Sequence, residues 1–302
     1  KRSLWNEPEL LQDDGTGDYD LNVKIVGDKL AVIWSSHKDK FDGNNDISLE
    51  ELLSKNEIYM QLFDMDGEKY GETEQLTFDN GLYSNSLPEI TFDETTKNMM
   101  LIYKKTDYLT EGVAFDENQA EKIGDFLNNS YSTIAYRIYD GGTEQWQDEY
   151  NDDEISYIEY EEANGEGKLY GQRFIDFNMS DLLPVKVSEY AVASHKDKIL
   201  ITYVLDVDRD ITTKDDTDLF VIVYDSITGK FTKPIRITDD SNPDINPKEI
   251  EFGDSIYLFW NNDGYISYID LDSIMEYGLN EELIGGETYY HIDESYNFFT
   301  NV

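Results

Sequence analysis

Apolar and polar residues alternate in pairs of short runs separated by tight turns. The clearest pair is KIVGDKLAVIW, Lys24 to Trp34, in which two alternating runs flank Gly27-Asp28 and the second ends in an aromatic. Alternation of this kind, rich in β-branched and aromatic residues, predicts half-buried antiparallel strands. Related stretches occur at 88–103, 187–203 and 247–260. Trp5 to Trp34 aligns without a gap on Phe231 to Trp260, placing Pro8 on Pro234, Asp18 on Asp244, Gly27-Asp28 on Gly253-Asp254 and Trp34 on Trp260. The two middle copies end in Tyr103 and Tyr203 at the place of the tryptophans.

A second strand pair follows each first pair. Copies start at Ile58, Ile134, Leu219 and Ile266, the last shortened; Asp64, Asp140 and Asp225 align in their turns, as do Tyr70, Trp146 and Phe231 after them. Four antiparallel strands recurring about every 50–70 residues predict an all-β fold, a β-propeller of four-stranded blades stacked face to face. The units span 18–79, 86–151, 187–240 and 245–272 of a single domain covering residues 1–302. The irregular stretch 150–181 reads as a long hairpin, centred on 153–178, either a degenerate fifth blade or a flap. The fourth unit lacks a clear last strand. The N-terminal strand 5–12 is expected to complete it and close the ring, with Glu287–Ile292 as its rival.

The turns FDMDGEKY, YDGGTEQW and YDSITGKF carry an Asp and a following aromatic, and resemble the Asp box of sialidase-like propellers, Ser/Thr-x-Asp-x-Gly-x-x-Trp. The resemblance covers the strand repeat over most of the chain. It implies a propeller of the kind found in secreted bacterial surface proteins. Asp boxes in that family are structural, so they bring no activity with them.

Two insertions between second and third strands carry helix-like segments, Ile47–Ser54 and Glu117–Leu127. Both leave one edge of the propeller, where loops on a rigid scaffold commonly bind. The connection Leu205 to Phe220 concentrates carboxylates at Asp206, Asp208, Asp210, Asp215, Asp216 and Asp218. Calcium takes six to eight oxygen ligands, and alternating aspartates on a turning loop supply several. The spacing is not that of an EF-hand, since Ile211 and Thr217 stand where Gly and Glu belong. The expectation is a noncanonical Ca²⁺ loop, against an acidic turn balanced by Arg209 and Lys214.

Charge narrows the partners. The chain has 65 acidic and 24 basic residues, a net charge of −41, so nucleic acid and anionic membrane surfaces are poor partners. There is no cysteine, which excludes a disulfide framework, a thiol nucleophile and zinc–thiolate sites. No apolar run approaches the ~20 residues needed to span a bilayer, and Lys1–Leu10 reads as a mature or trimmed boundary. His37, His195 and His291 show no metal-ligand spacing and read as surface residues. The strand-end aromatics are expected to pack between blades, with sugar stacking as the alternative. A sialidase-like enzyme needs clustered arginines, and Arg2, Arg137, Arg173, Arg209 and Arg236 do not fall in equivalent strands.

The first functional expectation is a noncatalytic extracellular binding or scaffold propeller, recognising glycan or protein on the surface of a Gram-positive cell as a monomeric part of a larger multidomain protein. The alternative is a glycoside hydrolase or lyase that uses a carboxylate pair in a central pocket.

Overall fold

A computed structural model describes residues 10–11, 15–40, 55–78, 83–107, 131–146, 187–206, 217–231, 235–238 and 240–272, with short strands at 159–161, 166–169, 172–174 and 290–292. It contains four antiparallel sheets, one for each repeat, in a sialidase-like β-propeller arrangement. Blade one is β1 (Asp18–Val26), β2 (Lys29–His37), β3 (Asn56–Phe63) and β4 (Lys69–Gln75), in that order. Blade two opens with β5 (Ser84–Phe92), β6 (Met99–Asp107) and β7 (Tyr131–Asp140), followed by β8 (Gln145–Trp146), β9 (Glu159–Glu161), β10 (Glu166–Leu169) and β11 (Gln172–Phe174). Blade three is β12 (Val187–His195), β13 (Lys198–Asp206), β14 (Thr217–Asp225), β15 (Lys230–Phe231) and β16 (Ile235–Arg236). Blade four is β17 (Asp244–Phe252), β18 (Ser255–Asn262), β19 (Tyr265–Asp270) and β20 (Tyr290–Ile292).

Two places depart from an even four-strand pattern. Of the irregular hairpin, β9, β10 and β11 join the sheet of blade two. In blade three the last strand comes in two pieces, with Phe231 opposite Tyr224 and Ile235 opposite Val221. Blade two splits its last strand in the same way, with Trp146 opposite Tyr139 and Arg173 opposite Tyr136. The last strand of blade two is thus interrupted between Trp146 and Gln172, and that of blade three between Phe231 and Ile235. Strands β9 and β10 extend the blade-two sheet to seven strands. Blade four, in turn, is completed by β20, whose Ile292 lies opposite Ile266. The C-terminal candidate fills the place expected for the N-terminal strand; residues 1–9 lie outside the described residues.

The aligned aspartates act as the Asp-box likeness implies. Asp64 Oδ1 accepts the N–H groups of Asp66 and Glu68, at 3.0 and 2.9 Å. Asp140 holds Gly142 and Thr143, and Asp225 holds Ile227 and Thr228. Each side chain closes its own hairpin.

The core lies between blades. Ile33, Ile58 and Met60 of blade one meet Leu101 and Tyr103 of blade two. Ile102 and Tyr136 of blade two meet Ile201 and Tyr203 of blade three, and Leu200 and Val221 of blade three meet Leu258 and Trp260 of blade four. Tyr103, Tyr203 and Trp260 are buried, so these strand-end aromatics pack between blades and offer no platform for a sugar.

A polar seam repeats above this core. Thr77 Oγ1 accepts the Ile58 N–H and donates to Glu57 Oε2 at 2.6 Å; Thr238 Oγ1 accepts the Leu219 N–H and lies 3.4 Å from Asp218 Oδ1. Asn85 of blade two also donates to Glu57, at 3.1 Å. Glu57→Ala would leave these buried donors without their acceptor. It is expected to lower unfolding free energy by about 1–3 kcal/mol in urea titrations, with the fold retained. An unchanged midpoint would show that the seam contributes nothing.

Candidate active site

The four first strands pack side by side in the order β1, β5, β12, β17. Each one slips register at the same place: between Tyr19 and Asn22, Ser86 and Glu89, Val187 and Tyr190, and Ile245 and Lys248. Bulges of this kind re-aim side chains and recur beside active sites. Three of the slips hold a non-glycine residue at positive φ: Asp20 at 53°, Leu87 at 51° and Asn246 at 56°. Asp and Asn tolerate this conformation; Leu87 does so at a cost of ~1–3 kcal/mol.

Carboxylates from one blade hold the bulges of another. Asp20 Oδ2 accepts the N–H of Leu87 at 2.9 Å, and Glu189 Oε2 accepts that of Asn246 at 2.6 Å. The Tyr190 hydroxyl reaches the carbonyls of Leu87 and Ile102, the latter at 3.1 Å. Lys104 Nζ donates to the Ser188 carbonyl at 3.4 Å and lies in the field of Glu189 and Asp20. Burial pushes the Lys104 ammonium below its ordinary range, against the pull of those two carboxylates.

Below the bulges, two glutamates flank β12. Glu89 takes the N–H of Val192, while Glu249 takes backbone N–H groups of Ala193 and Thr202 together with the Thr202 hydroxyl. Burial lifts the Glu89 carboxyl to about 7, and the charges of Lys248 and Lys24 only partly oppose it. Burial likewise drives Glu249 well above the ordinary glutamate range, and Glu89 adds to the effect. Glu249 Oε2 is buried without a hydrogen-bond partner among the described residues. Tyr190 is pushed well above the usual phenol value by burial, then by the charges of Glu89 and Asp20.

Asp20, Glu89 and Glu249 thus come from the three other blades toward the bulges and β12, and Glu189 stands on β12 itself, with Lys24, Lys104 and Lys248 in their fields. A carboxyl that is still protonated near neutral pH, beside carboxylates that accept hydrogen bonds, is the pairing that acid–base cleavage of a glycosidic bond uses.

The residues expected from sequence lie elsewhere. Asp206 ends β13 and Asp218 stands in β14 opposite Leu205. Asp218 is buried, paired with Arg236 and close to Thr238, as Glu57 is held in blade one. Asp208, Asp210, Asp215 and Asp216 lie outside the described residues, as do both helix-like insertions. Among the described residues no group of three or more His, Asp or Glu side chains could hold a metal ion. His37 and His195 are not surface residues: both are buried, His37 Nδ1 accepting the Asp39 N–H at 3.1 Å and His195 bonding Glu251 at 2.9 Å. Arg137 donates to the Leu76 carbonyl and Arg236 pairs with Asp218, so neither joins these carboxylates.

None of these carboxylates stood out in the sequence. The available sign was proline within a first strand, Pro88 before Glu89 and Pro247 two before Glu249, since proline inside a strand marks a bulge.

No protein-family model matches the chain, and no curated protein sequence does. Its fold matches solved structures. The NanB sialidase from Streptococcus pneumoniae superposes with a TM-score of 0.54 at 11% identity, over 96% of this chain and 54% of that one. The Hadza microbial sialidase Hz136 gives 0.50 at 8% identity, over 91% and 46%. Zg3597, a family 117 glycoside hydrolase from Zobellia galactanivorans, gives 0.45 at 12%, over 85% and 67%. The chain spans about half the length of the two sialidases. The two sialidase likenesses establish the fold. They also correct the first functional expectation: both of these structures are of enzymes, which favours the catalytic alternative over a noncatalytic scaffold.

Proposed function

We propose that this protein is an exported glycan-cleaving enzyme, a glycoside hydrolase or lyase, acting through the carboxylates of the four first strands. The observation that carries the reading is Glu89, a carboxyl held at about 7 in the company of Asp20, Tyr190 and Glu249. Glu89 is the proton donor to the leaving oxygen, and Asp20 or Glu189 is the second carboxylate of the pair. Export fits the strongly acidic surface and glycan as substrate; no helix among the described residues is long and apolar enough to cross a membrane.

The test is a panel of aryl glycosides and polysaccharides incubated with the purified chain. New reducing ends without ultraviolet absorbance are expected from a hydrolase, and absorbing unsaturated ends from a lyase. Turnover that survives unchanged in Glu89→Gln, or no turnover on any member, would remove the assignment.

A further inference from the structure

The bulge of β5 carries a residue poorly suited to it. Leu87 stands at φ 51°. A leucine avoids positive φ, and a residue before proline prefers an extended one. Asn246 occupies the same place in β17, also before a proline, and stands at 56° with a side chain that tolerates it. Leu87 is 39% exposed, so burial of its own side chain does little to hold it there. The hold comes from its neighbours.

Two other blades supply it. Asp20 of blade one accepts the Leu87 N–H at 2.9 Å. Tyr190 of blade three turns its hydroxyl to the Leu87 carbonyl and, at 3.1 Å, to that of Ile102. Both carbonyls adjoin Glu89. Leu87 lies two residues before it, joined through Pro88, whose ring fixes φ. Ile102 lies directly opposite it in the sheet. Tyr190 is 6% exposed, and burial keeps its phenol protonated, so it remains a donor at neutral pH. Its hydroxyl is occupied by backbone and does not act on substrate directly.

We propose that Tyr190 is a positioning residue: it pins Leu87 in a disfavoured conformation and thereby sets, through Pro88, where Glu89 points. The inference rests on the reading of Glu89 as the proton donor. Without the hydroxyl, Leu87 relaxes toward extended backbone and the Glu89 carboxyl swings toward solvent.

The experiment is a carboxyl-carbon NMR titration of glutamate-labelled wild type, Tyr190→Phe, Leu87→Asn and the double variant, each checked for fold by circular dichroism. Phenylalanine keeps the ring and its packing. The wild-type signal that titrates near 7 is expected to fall below about 6 in Tyr190→Phe, toward the ordinary value near 4.3. Leu87→Asn alone is expected to leave it near 7. The double variant is expected to return it there, because asparagine holds positive φ without the pin. On any panel glycan that the wild type cleaves, Tyr190→Phe should lower kcat about 10–100-fold and change KM by less than about threefold.

A signal that stays near 7 in Tyr190→Phe overturns the proposal and leaves Glu89 as the acid. A fall that Leu87→Asn does not restore also overturns it, since Tyr190 would then act by packing. A wild type with no glutamate titrating near 7 removes the acid and the pin together. If Tyr190→Phe does not fold, the double variant decides: folded and titrating near 7 it supports the pin, and unfolded it overturns it.

Discussion

Glu89→Gln is expected to lower kcat on a cleaved glycan by about 10²–10⁴-fold, the usual contribution of a positioned proton donor. The amide keeps the size and position of the side chain and loses only the proton. Wild-type kcat should fall as pH rises through about 7, where the Glu89 carboxyl ionises, and the variant's residual rate should lack that limb. Glu249→Gln serves as the control. Glu249, whose carboxyl burial also pushes well above the ordinary glutamate range, is occupied by Thr202 and the backbone of β12, so its loss acts through position. About tenfold or less is expected, the value of one hydrogen bond. Equal losses at the two sites would mean that both only brace β12.

Stability should peak on the acid side and sag toward pH 8, which is unusual for a globular protein. Glu89 is raised to about 7 and Asp244 to about 6, both chiefly by burial. A carboxyl raised above its unfolded value binds its proton more tightly in the native state. Its contribution is complete below the unfolded value, near 4, and is lost as pH climbs through the native one. At ~1.4 kcal/mol per unit, each group accounts for on the order of 3 kcal/mol across that window. Glu249 works in the same direction. The opposite edge belongs to Asp225, which Lys198 and the Thr228 N–H hold at about 2, so its share is lost only as pH falls toward that value. Thermal melts should give a higher Tm at pH 5 than at pH 8. Glu89→Gln and Asp244→Asn should each flatten the decline, the first while removing activity. A Tm that is level or rises over this range would contradict the burial of these carboxyls.

The repeat was legible because blade stacking demands the same residue types at the same strand positions. Trp34 and Trp260, or Asp64, Asp140 and Asp225, are recognisable in any copy. The split last strands were not, because two residues such as Gln145-Trp146 or Ile235-Arg236 carry no readable period. The carboxylate cluster was hidden for a different reason. Glu89 and Glu249 come from different blades, and nothing in the local sequence sets them apart from dozens of solvated acids. Only the packing of β5, β12 and β17 around the inner edge makes them special. The aspartates of the β13–β14 connection drew attention by density, yet Asp218 is the counterpart of Glu57 in the seam. Density of charge reports on surface; isolation of charge reports on a site.

The most direct test is a carboxyl-carbon NMR titration of glutamate-labelled protein. One resonance should titrate near 7, vanish in Glu89→Gln and move upward in Lys24→Met or Lys248→Met, which remove the charges that favour ionisation. If every glutamate signal in the wild type titrates between about 4 and 5, the ordinary range, Glu89 is not desolvated and is not the acid.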